Sequence, residues 1–355
     1  MSADVIRIAG RRIGPGEPPY IVAEMSANHG GSLERAKQIV ALAAEAGADA
    51  IKFQAYTADS LTIDVDAPGF VIRGAELWEG RRLYELYREA AMPYSWLAPL
   101  FEEARHCGIT PFCSPFDADA VAQLQRLDAP AYKIASFELL DHELIRCCAA
   151  TGKPLVISTG LASHDEIGEA VAVAHAAGGS EVALLKCTSV YPATPGELNL
   201  VTISDMERRF GVPVGFSDHT VGAAAATTAV ALGAALIEKH FIDARTPPTA
   251  DSAFSATPDE LRALVEQCRV AYAARGSVVY GASGRESDSL GFRRSLYVVR
   301  DLKPGDRLDR TAVRSIRPGF GLAPKYLDAV LGRRVKSAVA RGTPLSWALL
   351  DDAGR

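Results

Sequence analysis

With 355 residues and a net charge of −5, the chain is too long for one ordinary domain and lacks the overall basic excess that nucleic acid, as a main partner, would demand. Its 48% hydrophobic and 23% charged residues suffice for a large core and exclude a disordered chain. One barrel of about 250 residues with a small appendage fits that length.

Residues 1–12 carry charges but no apolar run of signal-peptide length, and no later segment is long and uncharged enough to span a bilayer. A cytoplasmic chain without membrane contact is expected. In that setting Cys107, Cys113, Cys147, Cys148, Cys187 and Cys268, which form no Cys-x-x-Cys pair, read as reduced packing residues.

In chain order, short continuous apolar runs fall at 20–24, 50–54, 110–114, 131–135, 155–159, 182–187, 212–217 and 236–240. Continuous rather than alternating hydrophobicity is the mark of parallel strands covered by helices, and eight of them predict a (β/α)8 TIM barrel. Helix punctuation lies between them. Ser32 opens a periodic run that stops at Gly47, Ser163 with Glu166 forms a capping box ahead of Gly178, and Thr257, Pro258 and Glu260 open a helix ending near Gly276. The connection 55–92 is too long for a simple βα loop and suits a lid or binding loop.

The rhythm breaks after Gly284, so residues 1–284 are assigned to the barrel and 285–355 to a small β-rich domain. A strand at 295–299 and a turn at Lys303-Pro304-Gly305-Asp306 belong to the latter. From Phe292 to Arg341 there are 13 Lys or Arg against 4 Asp or Glu, a basic patch on an otherwise acidic chain that suits docking on something negative.

The eight strands end in Glu24, Lys52 with Gln54, Ser114, Lys133 with Ser136 and Glu138, Ser158 with Thr159, Lys186, Ser217 with Asp218 and His219, and Glu238 with Lys239 and His240. Barrel closure gathers those ends on one face, where an active site is expected. His219 and His240 end consecutive strands and can hold a divalent metal with open positions, whereas His106, His142, His164 and His175 fall on helices and should be solvated. Lys52 and Lys133 sit in apolar strand sequence, where a buried ammonium needs an anion. Phosphate plus carboxylate fits, with Ser114, Ser136, Ser158 and Ser217 as hydroxyl donors. A Schiff base on Lys133 is the rival use, and the histidine pair speaks against it.

Five phrases carry a resemblance: Ala23-Glu24-Met25-Ser26-Ala27-Asn28-His29, Tyr132-Lys133-Ile134-Ala135-Ser136-Phe137-Glu138, Lys186-Cys187-Thr188-Ser189-Val190-Tyr191-Pro192, Gly215-Phe216-Ser217-Asp218-His219-Thr220 and Ile237-Glu238-Lys239-His240-Phe241. With Arg317-Pro318-Gly319-Phe320-Gly321 near the end, they resemble the sialic acid (nonulosonic acid) synthase family over almost the whole chain, with an antifreeze-like (SAF) C-terminal domain. Tyr56-Thr57-Ala58-Asp59, Leu77-Trp78-Glu79-Gly80-Arg81-Arg82-Leu83-Tyr84 and Ser189 resemble the branch acting on a 2,4-diacetamido-2,4,6-trideoxy-L-altrose more than the N-acetylneuraminate or legionaminate branches.

The resemblance implies condensation of phosphoenolpyruvate with an amino-sugar aldehyde, with C–O cleavage and phosphate release. It implies Mn²⁺, or else Mg²⁺ or Co²⁺, on His219 and His240. Glu24, Glu138 and Lys133 join the histidines as catalytic groups. Substrate contacts fall to Asn28, Lys52, Gln54, Ser114, Ser136, Ser158, Lys186, Ser189, Tyr191, Ser217, Asp251 and Arg317, the last reaching the sugar's acyl groups across a domain-swapped homodimer. Two departures from the family's pattern are Gly30-Gly31 and the stretch Thr246-Pro247-Pro248-Thr249-Ala250 before Asp251. A 3-deoxy-octulosonate-type synthase would lack the tail, a Schiff-base aldolase would survive chelator and be trapped by borohydride, and a sugar-binding module without catalysis would release no phosphate.

Overall fold

The computed structural model describes residues 5–74 and 78–351, in two compact units that divide between Gly276 and Ser277. The sequence pattern placed that division after Gly284. Leu77, within one of the family phrases, lies outside the described residues.

The first unit opens with a hairpin of β1 (Ile6–Ile8) and β2 (Arg11–Ile13). Ala9 and Gly10 turn it with φ of 48° and 82°, the two consecutive left-handed residues a tight hairpin requires. Eight parallel strands then close a barrel: β3 (Tyr20–Glu24), β4 (Ala50–Ala55), β5 (Thr110–Pro115), β6 (Tyr132–Ile134), β7 (Leu155–Ser158), β8 (Val182–Cys187), β9 (Val214–Asp218) and β10 (Leu236–His240). β10 seals the ring against β3, pairing Leu236 with Tyr20 through to His240 with Glu24. The expected barrel is therefore present, each strand within two residues of its expected bounds at either end. The hairpin was not anticipated, because two three-residue strands carry too little periodicity to register.

The expected helix signals hold. Ser32 caps Leu33–Glu45, Ser163 and Glu166 form a capping box on His164–Ala176, and Thr257 with Glu260 does the same for Pro258–Arg275. Helix-facing strand residues such as Ile21, Ile51, Ile134, Ile157, Leu184 and Phe216 make the larger core. A second core fills the barrel floor: Val22, Phe112, Val156, Leu185 and Leu236 pack with Ile6, Ile8 and Ile13 of the hairpin, which plugs that end. The interior is thus apolar at the bottom and polar at the top. The long connection after β4 holds short helices at Ala58–Leu61 and Leu83–Ala90. Among the described residues no helix is long and apolar enough to cross a membrane.

The second unit pairs β11 (Ser295–Val298) with β12 (Val313–Ile316) antiparallel around a core including Leu296, Val298, Leu308, Val335 and Leu345. The expected turn is present, with Asp306 N donating to the Lys303 carbonyl at 3.0 Å and Lys303 N donating to Asp306 Oδ2 at 2.9 Å.

Candidate active site

Side chains alternate across a strand, so the residues two beyond the apolar floor point into the barrel above it. From Val22, Ala50, Phe112, Ala131, Val156 and Leu236 this leads to Glu24, Lys52, Ser114, Lys133, Ser158 and Glu238, and onward to Gln54 and His240. All six of the first set are buried.

They form one charge network. Lys52 Nζ lies 2.6 Å from Glu24 Oε2 and 3.6 Å from Glu238 Oε1, and donates to Ser114 Oγ at 3.2 Å. Lys133 Nζ lies 3.4 Å from the same Glu238 oxygen, to which Ser217 Oγ also donates at 3.4 Å. Gln54 Nε2 donates to Glu24 Oε1 at 2.9 Å and to Ser26 Oγ at 3.0 Å, and Ser26 N donates to Glu24 Oε1 at 3.0 Å. Burial works against the Lys52 ammonium, but Glu238 and Glu24 outweigh it and hold its pKa above the ordinary lysine value. Burial pushes Lys133 below that value, with Glu238 opposing. Burial also raises Glu24, against the pull of Lys52, whereas in Glu238 the two lysines overcome burial and keep the carboxyl below its usual range. An incoming anion would therefore strengthen the charge on Lys133.

On the neighbouring strand ends, the His219 and His240 rings are 5.5 Å apart, centre to centre. His219 Nδ1 is 2.9 Å from the Thr188 carbonyl, a bond that makes Nδ1 the donor and turns Nε2 toward Ser217 Oγ, 3.4 Å away. Burial works against the charged ring, but Cys187, the Thr188 carbonyl and Glu238 outweigh it and hold its pKa above the ordinary histidine value. His240 Nδ1 is buried without a hydrogen bond, 3.7 Å from Asp251 Oδ2. Burial, then His219, hold the His240 pKa well down, so this imidazole stays neutral. Tyr191 packs on His219 at 4.2 Å and on Phe254 at 5.1 Å, and Trp78 reaches Tyr191 at 6.0 Å.

A third group faces the lysines. Gly160 N donates to Ser136 Oγ at 3.2 Å, and a Cβ at Gly160 would fall 2.2 Å from Ser189 Oγ and 2.8 Å from Ser136 Oγ, so only glycine lets these hydroxyls close up. Ser158 Oγ, Glu138 Oε2 and Glu238 Oε2 are buried with no hydrogen-bond partner. Buried polar atoms are normally satisfied, and a set left open around two ammonium groups marks a ligand's place. Burial lifts the Glu138 carboxyl to about 7 in spite of Lys133.

Two expected substrate residues are not part of this arrangement. Lys186 alternates with Leu185 and Cys187 and so takes the face of Val182 and Leu184, away from the interior; its ammonium donates to the Cys187 carbonyl at 2.7 Å. Asn28 is a fully buried brace, its Nδ2 donating to the Phe241 carbonyl at 2.9 Å and to Ser255 Oγ at 2.8 Å while Oδ1 accepts from Thr249. Arg317 is exposed in the second unit, in the loop after β12. His106, His164 and His175 are exposed as expected, but His142 is half-buried with Nε2 shut off from solvent. Glu238 was read only as one polar strand end, although it links both lysines. Gly160 and the inward-facing Cys187, whose thiol is 3.9 Å from His219 Nδ1, were missed; strand alternation signals the cysteine, and the run Ser158-Thr159-Gly160 signals the glycine.

A TIM barrel whose C-terminal mouth pairs buried lysines with carboxylates, beside two buried imidazoles, is the architecture of an enzyme handling an anionic substrate. The chain belongs to the NeuB family, whose model matches residues 39–280, and residues 293–351 match the SAF domain. It is 42% identical to a pseudaminic acid synthase of Campylobacter jejuni over 92% of this chain and 95% of that one. Against a pseudaminic acid synthase of Helicobacter pylori the identity is 38%, covering 93% and 97%. Among solved structures, the N-acetylneuraminic acid synthetase of Leptospira borgpetersenii in complex with citrate matches with a TM-score of 0.73 and 30% identity, covering 81% of this chain and 96% of that one.

Proposed function

We propose that this NeuB-family enzyme condenses phosphoenolpyruvate with 2,4-diacetamido-2,4,6-trideoxy-L-altrose and water, giving pseudaminic acid and inorganic phosphate. The likeness to two pseudaminic acid synthases supports the sugar. The observation that carries the reaction is the Lys52–Glu238–Lys133 cluster with the unpartnered Ser158 hydroxyl, ammonium and hydroxyl donors for phosphate and carboxylate together.

His219 and His240 fit a divalent metal, Mn²⁺ foremost with Mg²⁺ or Co²⁺ as substitutes. Both rings are ligand candidates, His219 with Nδ1 held as the donor by the Thr188 carbonyl and His240 with an orphaned nitrogen. Among the described residues no group of three or more His, Cys, Asp or Glu is arranged to hold a metal, so substrate and water would complete the shell. When bound, such an ion supplies Lewis acidity that makes an aldehyde carbon electrophilic.

The remaining work falls to side chains. Lys52, Lys133, Ser114, Ser136, Ser158, Ser189, Ser217 and the Gly160 amide hold the phosphoenolpyruvate. Its methylene carbon attacks the aldehyde carbon, whose oxygen gains a proton, and water adds to the cationic C2 and loses one. The tetrahedral centre then collapses by breaking the C2–O bond, and phosphate leaves. Glu24 is tied to Lys52, Gln54 and the Ser26 amide, whereas Glu138 has an open oxygen and titrates near neutrality, so Glu138 is the proton carrier and Glu24 the positioner of Lys52. Tyr191, Phe254 and Trp78 wall the sugar side, with Asp251 beside His240 as a polar contact. A homodimer supplies Arg317 from the partner's SAF domain to the sugar's acyl groups.

The test is direct. Purified protein is given phosphoenolpyruvate with ManNAc, the diacetamido-altrose and the diacetamido-mannose in turn, and phosphate release and product mass are recorded. Turnover of the altrose sugar in preference to the other two is expected; preference for either of the others reassigns the sugar, and no phosphate with any of them removes the reaction.

A further inference from the structure

Between β9 and β10 the barrel buries an ion pair on the face turned away from the mouth. Asp218 and Lys239 immediately precede His219 and His240, and stand opposite each other in the strand register. Lys239 Nζ is 3.0 Å from Asp218 Oδ2 and also donates to the Thr220 carbonyl. Asp218 Oδ1 accepts from Thr220 N at 2.9 Å and from Thr220 Oγ1 at 2.7 Å. Each of the two charged residues is 1% exposed.

Stability does not account for this arrangement. Desolvation makes a buried ion pair, on average, no better than an apolar pair of the same volume. The bonds do something an apolar pair cannot: they close a loop from residue 218 to residue 220 and tie both to residue 239. The peptide units on either side of His219 are thereby fixed to each other and to the strand that carries His240. Without those bonds His219 would keep the Thr188 carbonyl at Nδ1, the Ala193 amide on its own carbonyl and the Tyr191 ring at 4.2 Å, and none of these ties it to the strand that carries His240.

We propose that the Asp218–Lys239 pair, with Thr220, is a positioning device that holds the two imidazoles at metal-binding separation. The inference rests on the proposed metal site and names residues that touch neither metal nor substrate. Supporting bonds behind ligating histidines typically change metal affinity by ten- to hundredfold.

The test titrates Mn²⁺ alone into the full-length protein and reads free Mn²⁺ by electron paramagnetic resonance, with thermal unfolding alongside. The double variant Asp218→Val/Lys239→Met replaces the pair by apolar groups of similar volume. It is expected to unfold within a few degrees of the parent and to bind Mn²⁺ about ten- to hundredfold more weakly. A folded double variant with parental Mn²⁺ affinity overturns the proposal. Thr220→Val, which leaves the ion pair and deletes one bond, is expected to weaken Mn²⁺ binding severalfold with little change in unfolding; should the double variant not fold, parental affinity in Thr220→Val overturns the proposal instead. Absence of saturable Mn²⁺ binding by the parent would overturn the metal site itself, a result distinct from either.

Discussion

Glu238 Oε1 stands 3.4 Å from the Lys133 ammonium, deep in the barrel. The same oxygen is 3.6 Å from Lys52, so one carboxylate serves two buried cations, and Glu24 serves only the second. Glu238→Gln removes that compensation and is expected to cost about 3 kcal/mol of stability, the scale for breaking a buried pair. Phosphoenolpyruvate should narrow the gap between variant and parent, because its negative charge replaces the lost one. Thermal unfolding with and without the substrate checks this, and an equal gap in both would mean that the phosphate or carboxylate does not sit between the lysines.

Burial places the Glu138 carboxyl near 7, so it loses its proton across neutral pH. If it delivers a proton to the aldehyde oxygen, activity falls as pH rises through about 7, and Glu138→Gln removes that limb while lowering kcat by about 10²- to 10⁴-fold. The stability consequence has a definite sign. The folded pKa of about 7 exceeds the ordinary 4.5, so between those values the unfolded chain binds fewer protons and stability falls as pH rises. Glu138→Gln should flatten that decline, which denaturant titrations at pH 4.5 and 7.5 would measure.

The barrel was legible because parallel strands covered on both faces write themselves as continuous apolar runs, and because Ser32, Ser163 and Thr257 mark helix starts chemically. What the runs hide is the phase of each strand end. Lys186 and Cys187 are neighbours in sequence, and only the alternation counted from Ala183 and Leu185 sends the thiol inward and the ammonium outward. Asn28 escaped for a different reason: its partners Phe241, Ser255 and Thr249 lie more than two hundred residues away, where no local pattern reaches. Glu238 was visible as a charge in an apolar strand, but its two lysine partners come from β4 and β6, across the barrel.

Trp78 stands in the long connection after β4 and touches Tyr191, which in turn covers His219. This aromatic wall packs on the imidazoles, and in the proposed reaction the imidazole side takes the sugar. Trp78→Ala is expected to raise the apparent KM for the sugar about tenfold, the worth of one aromatic contact, and that for phosphoenolpyruvate much less. Steady-state kinetics with each substrate varied in turn would separate the two, and equal effects would remove Trp78 from the sugar site.

The rim of the barrel carries exposed apolar side chains on successive strand-end loops: Phe137 after β6, Leu161 after β7, Val190 after β8 and Val221 after β9. Apolar groups gathered around a polar mouth favour a covering partner. In the proposed homodimer that cover is the partner's SAF domain bearing Arg317, and exchange of an identical element between subunits is a low-cost route to such a dimer. Arg317→Ala should then be nearly inactive although its barrel is intact, and His219→Ala inactive although its tail is intact. In a mixed dimer one site has both lesions and the other has neither. Mixing the two variants under conditions that allow subunit exchange should therefore restore about a quarter of parental activity at statistical equilibrium, half the dimers being mixed with one working site each. Heterodimers carrying distinct affinity tags can be isolated and assayed directly. Heterodimers without activity would place each tail on its own barrel and end the swapped arrangement.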